Sequence, residues 1–160
     1  MERWGVRGGG VYLLILASLL ALDVSAQERF VTIKSSKVNA RKGPNLQSPV
    51  VWIYTNKNEP VKVLANFEQW RQIQDFQGDI SWIHVSMLST KRFVILVQDA
   101  PMYRDGLLSR VDPQLIANVK RHARCALEKE GAQRSKIRCT YAGDKEIAGW
   151  VENGSLWGLK

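Results

Sequence analysis

Residues 79–89 read DISWIHVSMLS, and residues 147–157 read IAGWVENGSLW. Trp150 follows Trp82 by 68 positions, and in both stretches a small residue precedes the Trp, a β-branched residue follows it, and a Leu stands six positions beyond it. A short apolar and β-branched run of this kind, bounded by turn residues, is typical of a β-strand. The recurrence predicts one structural unit used twice, with the two Trp segments as its equivalent closing strands.

The rest of the chain predicts the same kind of unit. From Phe30 onward, short runs rich in β-branched and aromatic residues alternate with turn residues such as Gly43-Pro44 and Gly78. Such runs, without a convincing helix, predict an all-β fold built as a small antiparallel barrel or sandwich. The second half shows the same order of strands, turn and Trp strand when Arg104 is aligned with Arg41. We therefore predict two units, residues 27–90 and 91–160.

The first 26 residues predict a secretory signal peptide. Arg3 and Arg7 precede an apolar run at 11–22, and Val24 and Ala26 stand three positions and one position before a cleavage point at Gln27. The run is shorter than the roughly 20 residues that a membrane span needs, although an uncleaved anchor is the alternative. We expect a periplasmic or secreted bacterial protein with no membrane span after removal of the signal.

The positive net charge indicates which partners the protein can attract. The chain has a formal net charge of +8, which attracts polyanions such as cell-wall polymers, although it also serves simple solubility. Export argues against nucleic acid as the partner.

The segment 113–130 allows two interpretations. As a helix, Asp112 would cap it, Pro113 would occupy its first turn and Gly131 would end it. As a hairpin folded about Ala132, it would place Leu127 opposite Ile137, Glu128 opposite Lys136 and Glu130 opposite Arg134. The same axis places Cys125 opposite Cys139, and an oxidising compartment favours a disulfide between them over a reactive thiol. The repeat favours the hairpin.

Three segments resemble the bacterial SH3-like (SH3b) domain family. They are KVNARKGPN, with Asn39, Arg41, Gly43 and Pro44; EQWRQIQDFQGDISWIHVSMLS; and the closing GWVENGSLWGL. The resemblance covers residues 30–159 and is closest to exported bacterial proteins with two such domains. It implies two tandem small SH3-like barrels without enzymatic activity. Domains of this family commonly act as targeting modules, and several bind peptidoglycan peptides.

An enzyme or a cofactor protein is not expected. Two units of about 65 residues leave no room for a separate hydrolase domain, and His84 and His122 fall in different units without metal-ligand spacing. The chain carries no Gly-rich phosphate loop after a strand. We predict no catalytic residue, no metal and no cofactor.

The candidate binding residues are aromatic or basic. Asn39 and Arg41 share one face of a strand that leads into the loop lining the ligand groove of SH3-like barrels, where Arg can pair with a peptide carboxylate. Trp70 is expected to be half exposed and Trp52 to lie in the core. The predicted ligand-binding set is Asn39, Arg41, Trp70, Trp82, His84, Tyr103, Arg104 and Trp150. For Trp82 and Trp150, the recurrence at the same position in both units favours packing in the barrel over ligand contact.

The sequence thus predicts an exported, non-catalytic module that binds peptidoglycan or another envelope peptide. A periplasmic protein-interaction adaptor is the alternative, and a cell-wall hydrolase fragment is a more distant one. The oligomeric state is not predicted.

Overall fold

The computed structural model describes residues 29–106 and 113–160. Within these ranges the regular structure consists of fourteen β-strands and two single turns of 3-10 helix, Val85–Met87 and Asn153–Ser155. The predicted all-β fold is confirmed. The predicted signal peptide, residues 1–26, lies outside the described residues.

The strands form two seven-stranded antiparallel sheets. The strands of the first sheet are β1 Arg29–Ile33, β2 Val38–Arg41, β3 Val50–Tyr54, β4 Glu59–Phe67, β5 Trp70–Gln74, β6 Ile80–His84 and β7 Leu88–Ser89. The strands of the second sheet are β8 Phe93–Leu96, β9 Ala100–Tyr103, β10 Leu115–Val119, β11 Arg124–Lys129, β12 Arg134–Tyr141, β13 Lys145–Glu152 and β14 Leu156–Trp157.

The two sheets have the same topology. The spatial order is β3-β2-β6-β5-β4-β1-β7 in the first and β10-β9-β13-β12-β11-β8-β14 in the second, so each strand corresponds to the strand seven places later. The 3-10 turns correspond as well, because each directly follows the Trp strand. This arrangement is consistent with two small SH3-like domains. We call the parts of the chain that form the two sheets the first and second units.

Each sheet encloses an apolar core of its own. On β2, Val38 and Ala40 are buried while Asn39 points outward, which is the alternation expected of a strand with one face against a core. The first core contains Val31, Ile33, Val38, Ala40, Tyr54, Val61, Ile73 and Ile83. The second core contains Val94, Leu96, Ala100, Met102, Val119, Cys125, Ile137, Cys139, Val151 and Leu156.

The register of the repeat differs from the prediction by one residue. Trp82 lies opposite Arg41 in the first sheet, and Trp150 lies opposite Tyr103 in the second. The structural counterpart of Arg41 is therefore Tyr103, and the alignment of Arg41 with Arg104 was wrong. Successive side chains point to opposite faces of a strand, so an alignment that is wrong by one residue assigns each side chain to the wrong face of the sheet.

The segment that allowed two interpretations forms strands. Residues Leu115–Val119 and Arg124–Lys129 are β10 and β11, so the helix is excluded. In the β11–β12 hairpin, Leu127 lies opposite Ile137 as predicted. The register shifts between Leu127 and Lys129, and the Glu130 carboxylate forms an ion pair with Arg92 at 3.1 Å, not the predicted cross-strand contact with Arg134.

The predicted disulfide is present. Cys125 on β11 and Cys139 on β12 are bonded, with their Cα atoms 4.4 Å apart. Both residues are buried within the second core. A disulfide fits the oxidising compartment that export would supply. None of the helices in residues 29–106 and 113–160 is long and apolar enough to cross a membrane.

The two units contact each other directly. The Phe30 ring meets the Trp157 ring edge to face with centroids 5.2 Å apart, and the Glu59 carboxylate accepts a hydrogen bond from the Arg124 guanidinium. Glu59 is only 3% exposed. Burial raises the pKa of this carboxyl, although the charge of Arg124 acts in the opposite direction.

Candidate functional site

A cleft of about 660 Å³ opens on the first unit. Its walls come from β2, the loop after β2, the turn between β4 and β5, and the 3-10 turn after β6. The lining residues are Lys37, Val38, Asn39, Arg41, Leu46, Glu68, Gln69, Trp70, His84, Ser86 and Met87. Four of the predicted site residues, Asn39, Arg41, Trp70 and His84, therefore come together in this first-unit cleft.

The loop after β2 holds Arg41 in place. One Nη1–H of Arg41 donates to the carbonyl oxygen of Ser48 at 2.8 Å. The Asn45 carboxamide oxygen accepts from the backbone N–H of Ser48 at 2.7 Å and from its hydroxyl at 2.9 Å, so the loop is braced internally. A guanidinium has five N–H donors. Arg41 is thus positioned at the cleft by one of them and is suited to binding a carboxylate with others.

Trp70 and His84 form the aromatic wall of the cleft. They are cross-strand partners on β5 and β6, and their rings meet edge to face with centroids 5.4 Å apart. Trp70 is 8% exposed, so the expectation that it is half exposed was wrong. The His84 ring contacts the indole, of which only a small part is exposed.

The hydrogen bonds of His84 define its neutral tautomer. Its Nδ1 accepts from the backbone N–H of Ser86 at 3.2 Å, and the Ser86 hydroxyl lies 2.7 Å from the same nitrogen. A backbone N–H can only donate, so Nδ1 must be the unprotonated nitrogen and Nε2 carries the proton. His84 therefore offers a ring N–H donor to a ligand in the cleft.

The charge and polarity of the lining suit a peptide. Lys37 and Arg41 are opposed by a single carboxylate, Glu68, and the uncharged lining includes the apolar Leu46 and Met87.

Glu68 has a positive φ of 44° in the turn between β4 and β5. Non-glycine residues in this region are uncommon, and they occur where a tight turn requires them.

The sequence interpretation missed several lining residues: Lys37, Val38, Leu46, Glu68, Gln69, Ser86 and Met87. Glu68 and Gln69 belong to the β4–β5 turn directly before Trp70. A turn directly before Trp70 gave their position in the fold but not their role. For Leu46, the sequence indicated only a position in the loop after β2 and gave no sign of a place in the cleft.

The remaining predicted site residues lie elsewhere. Trp82 is half-buried on β6, opposite Arg41, and does not line the cleft. Tyr103, Arg104 and Trp150 belong to the second unit. Arg104 is exposed, and its backbone N–H donates to the carbonyl of Gln114 at 3.0 Å. Their predicted roles in ligand binding stay predictions.

The second unit carries different side chains at the positions equivalent to the cleft wall. Arg134 pairs with Glu152 across β12 and β13, at the positions that Trp70 and His84 occupy in the first sheet. The Arg134 guanidinium lies 4.5 Å from the ring centroid of Tyr103, and one of its Nη atoms is 3.4 Å from the Glu152 carboxylate. Arg134 is buried. An arginine that lies on the Tyr103 ring and pairs with Glu152 thus replaces the aromatic pair.

Trp52 lies on the surface and not in the core as expected. Its side chain is 47% exposed, because β3 is the terminal strand of the first sheet and has β2 as its only strand neighbour in the described residues. A continuous apolar run is typical of a strand that is covered on both faces, whereas the first four residues of β3 are all exposed.

The described residues hold no metal cluster and no free thiol. No group of three or more His, Cys, Asp or Glu side chains in residues 29–106 and 113–160 is arranged to hold a metal ion. Both cysteines are in the disulfide. The lining of the first-unit cleft offers hydrogen-bonding, charged and apolar groups.

Comparison with known proteins gives a match for the unit that carries the cleft. No curated protein matches the chain. Among solved structures, the chain is similar to the NlpC2 and NlpC1 proteins of Trichomonas vaginalis, at 14% identity over 81% of this chain, with TM-scores of 0.36 and 0.35. It spans about half the length of those chains, 48% and 45%. Residues 34–90, which contain every residue that lines the first-unit cleft, match the family model of the bacterial SH3 domain.

Proposed function

We propose that the protein is an exported, non-catalytic module that binds a peptide of the cell envelope, most specifically a peptidoglycan peptide, in the first-unit cleft. The observation that carries the proposal is the convergence of Asn39, Arg41, Trp70 and His84 on one cleft within a bacterial SH3 domain. The disulfide supports export, because disulfides persist in oxidising compartments.

The lining matches the chemistry of a wall peptide. Arg41 and Lys37 suit the carboxylates of such a peptide. The Asn39 and Gln69 carboxamides donate to and accept from peptide groups, and the His84 Nε2–H adds a donor. Leu46, which is 67% exposed in the unliganded chain, supplies apolar surface that a ligand can cover.

Co-sedimentation with purified sacculi tests the proposal. The protein should be retained by sacculi from which all protein has been removed by protease, and its retention should fall as salt rises because carboxylates are bound by exposed cations. The turbidity of the sacculi should stay constant if the protein is non-catalytic. No retention at any salt would contradict the proposal. Retention only on untreated sacculi would also contradict it and would indicate a protein partner.

A matched pair of variants locates the site. Leu46→Ala removes an exposed apolar side chain from the cleft, and Leu115→Ala removes one that is 52% exposed on the second unit. We expect the first change to weaken binding by about fivefold to tenfold. Truncation of an interface side chain that costs roughly 1 kcal/mol of binding free energy has an effect of this size. The second change should leave binding unaltered. Equal effects of the two variants would place the ligand outside the first-unit cleft.

A further inference from the structure

Strand β3 exposes an unusual amount of apolar surface. Its residues Val50, Val51, Trp52 and Ile53 are 41%, 48%, 47% and 49% exposed, and they follow one another directly. Four consecutive exposed apolar residues are rare on a stable surface unless something covers them.

The position of β3 leaves its backbone open as well. It is the terminal strand of the first sheet, and in the described residues it pairs only with β2. The outer edge of such a strand presents a row of N–H and C=O groups that can pair with another strand. Natural edge strands are usually protected by charged side chains. The stretch 44–56, which contains β3, has no charged residue, although 24% of the whole chain is charged.

The fold does not require this exposure. Strand β10 occupies the equivalent edge of the second sheet. There Leu115 is exposed, but Val119 is buried and the polar Asn118 interrupts the apolar run. The apolar edge is therefore a property of the first unit alone, and it calls for an explanation specific to that unit.

We propose that β3 is a homodimerisation edge, which pairs in antiparallel orientation with β3 of a second copy about a two-fold axis. Such an isologous contact joins the two first sheets into one continuous sheet. Apolar side chains of one β3 then lie opposite apolar side chains of the other, and such cross-strand contacts stabilise the pairing of the two strands.

The absence of charge on this edge makes it self-complementary, which suits a second copy as the occupant. Two chains with a net charge of +8 repel each other over most of their surface. In any antiparallel register that keeps β3 opposite β3, residues 44–56 of both copies meet without a charged side chain facing another. Two copies can therefore approach each other along this edge without a like-charge penalty. None of Val50–Tyr54 lines the first-unit cleft, so the dimer does not depend on the proposed ligand.

Sedimentation equilibrium over a range of concentrations tests the proposal. The protein is expressed from its full sequence and purified after whatever processing the cell carries out, and its monomer mass is fixed by mass spectrometry. We expect a reversible monomer–dimer equilibrium. The double variant Trp52→Lys/Ile53→Lys places lysines opposite each other across the two-fold axis and should weaken dimerisation by at least about tenfold. Leu115→Lys, on the equivalent edge of the second sheet, should leave it unchanged.

Hydrogen exchange of the unaltered protein gives a result that does not depend on the folding of a variant. The amides of β3 should become more protected as concentration rises, while those of β10 should not. A monomer at every concentration would overturn the proposal. So would a dimer that the double variant leaves intact, or strand pairing of β3 with a foreign peptide in place of a second copy.

Discussion

Trp70 and Arg134 occupy the same position in the two sheets. Each opens its strand, and each lies opposite the last strand residue before a 3-10 turn, His84 in one unit and Glu152 in the other. A backbone hydrogen bond next to each pair corresponds too. The Val85 N–H donates to the Gln69 carbonyl at 2.8 Å, and the Asn153 N–H donates to the Gln133 carbonyl at 2.9 Å. One framework thus carries an aromatic cleft wall in one unit and, in the other, a buried Arg134 that is ion-paired with the exposed Glu152.

The burial of Trp70 predicts a large cost on truncation. Trp70→Ala should lower the free energy of unfolding by about 3 kcal/mol, as expected for removal of a buried aromatic side chain. Trp70→Phe should cost less, because a ring remains against His84. Urea denaturation at low protein concentration measures both. Trp52→Ala is the matched control, and its cost should be much smaller because Trp52 is half exposed. Similar losses for Trp70→Ala and Trp52→Ala would refute the assigned burial.

The disulfide predicts a redox-dependent stability. Cys125 and Cys139 are 14 positions apart, and closing a loop of this length stabilises a fold by about 3 kcal/mol. Cys125→Ala/Cys139→Ala should lower the urea midpoint, and reductant should lower the midpoint of the unaltered protein in the same way. Reductant should not affect the double variant. An unaltered protein whose midpoint does not respond to full reduction would disprove this contribution.

Glu59 predicts a pH dependence of stability. Burial raises the pKa of its carboxyl above the ordinary value of 4.5, and Arg124 only partly opposes this. The folded state then binds the proton more tightly than the unfolded state. The resulting contribution of protonated Glu59 to the free energy of unfolding is fully present below pH 4.5, and it is lost as pH rises through the pKa of the folded state. Glu59→Gln should therefore gain stability relative to the unaltered protein as pH rises from acid towards neutral. A difference between the two proteins that is constant with pH, or that has the opposite sign, would exclude this role.

Gly149, the small residue before the second repeated Trp, predicts a steric effect. A Cβ at this position would lie 2.7 Å from the carbonyl oxygen of Tyr103 and 2.8 Å from the Cδ1 of Ile116. Gly149→Ala should therefore destabilise the second unit by about 1–3 kcal/mol through overpacking. Gly154→Ala is the control, because its Cβ would meet nothing within 4 Å. Thermal unfolding measures both, and equal midpoints for the two variants would count against the close approach of β9 and β13.

The sequence predicted features that depend on local pairing. The hairpin about Ala132 was correct at Cys125, Leu127 and their partners, where the cysteines fix the pairing, and it failed at Glu130, because the register shifts after Leu127. The all-β class was correct because strand and turn signals are local. The convergence of Asn39, Arg41, Trp70 and His84 on one cleft followed the resemblance to an SH3-like groove.

The errors arose where sheet order decides the outcome. Trp52 has the sequence signature of a core residue, but its strand is at an edge, and no local pattern reveals which strand of a sheet is terminal. Trp70 follows a turn, which suggested exposure, but its side chain is buried and contacts His84 on the neighbouring strand. Arg104 resembles Arg41 in its local context, yet Tyr103 is the residue opposite Trp150, and a register error of one position is invisible without the partner strand.

The most direct test of the central claim is a nuclear magnetic resonance titration of the protein with soluble peptidoglycan fragments that carry intact stem peptides. We predict that the backbone amide shifts concentrate at Lys37, Asn39, Arg41, Gln69 and His84, around the first-unit cleft. The equivalent positions Tyr103, Arg134 and Glu152 in the second unit should change little. Saturable binding with shifts confined to the second unit, or no shifts at all with fragments at saturating concentration, would contradict the account.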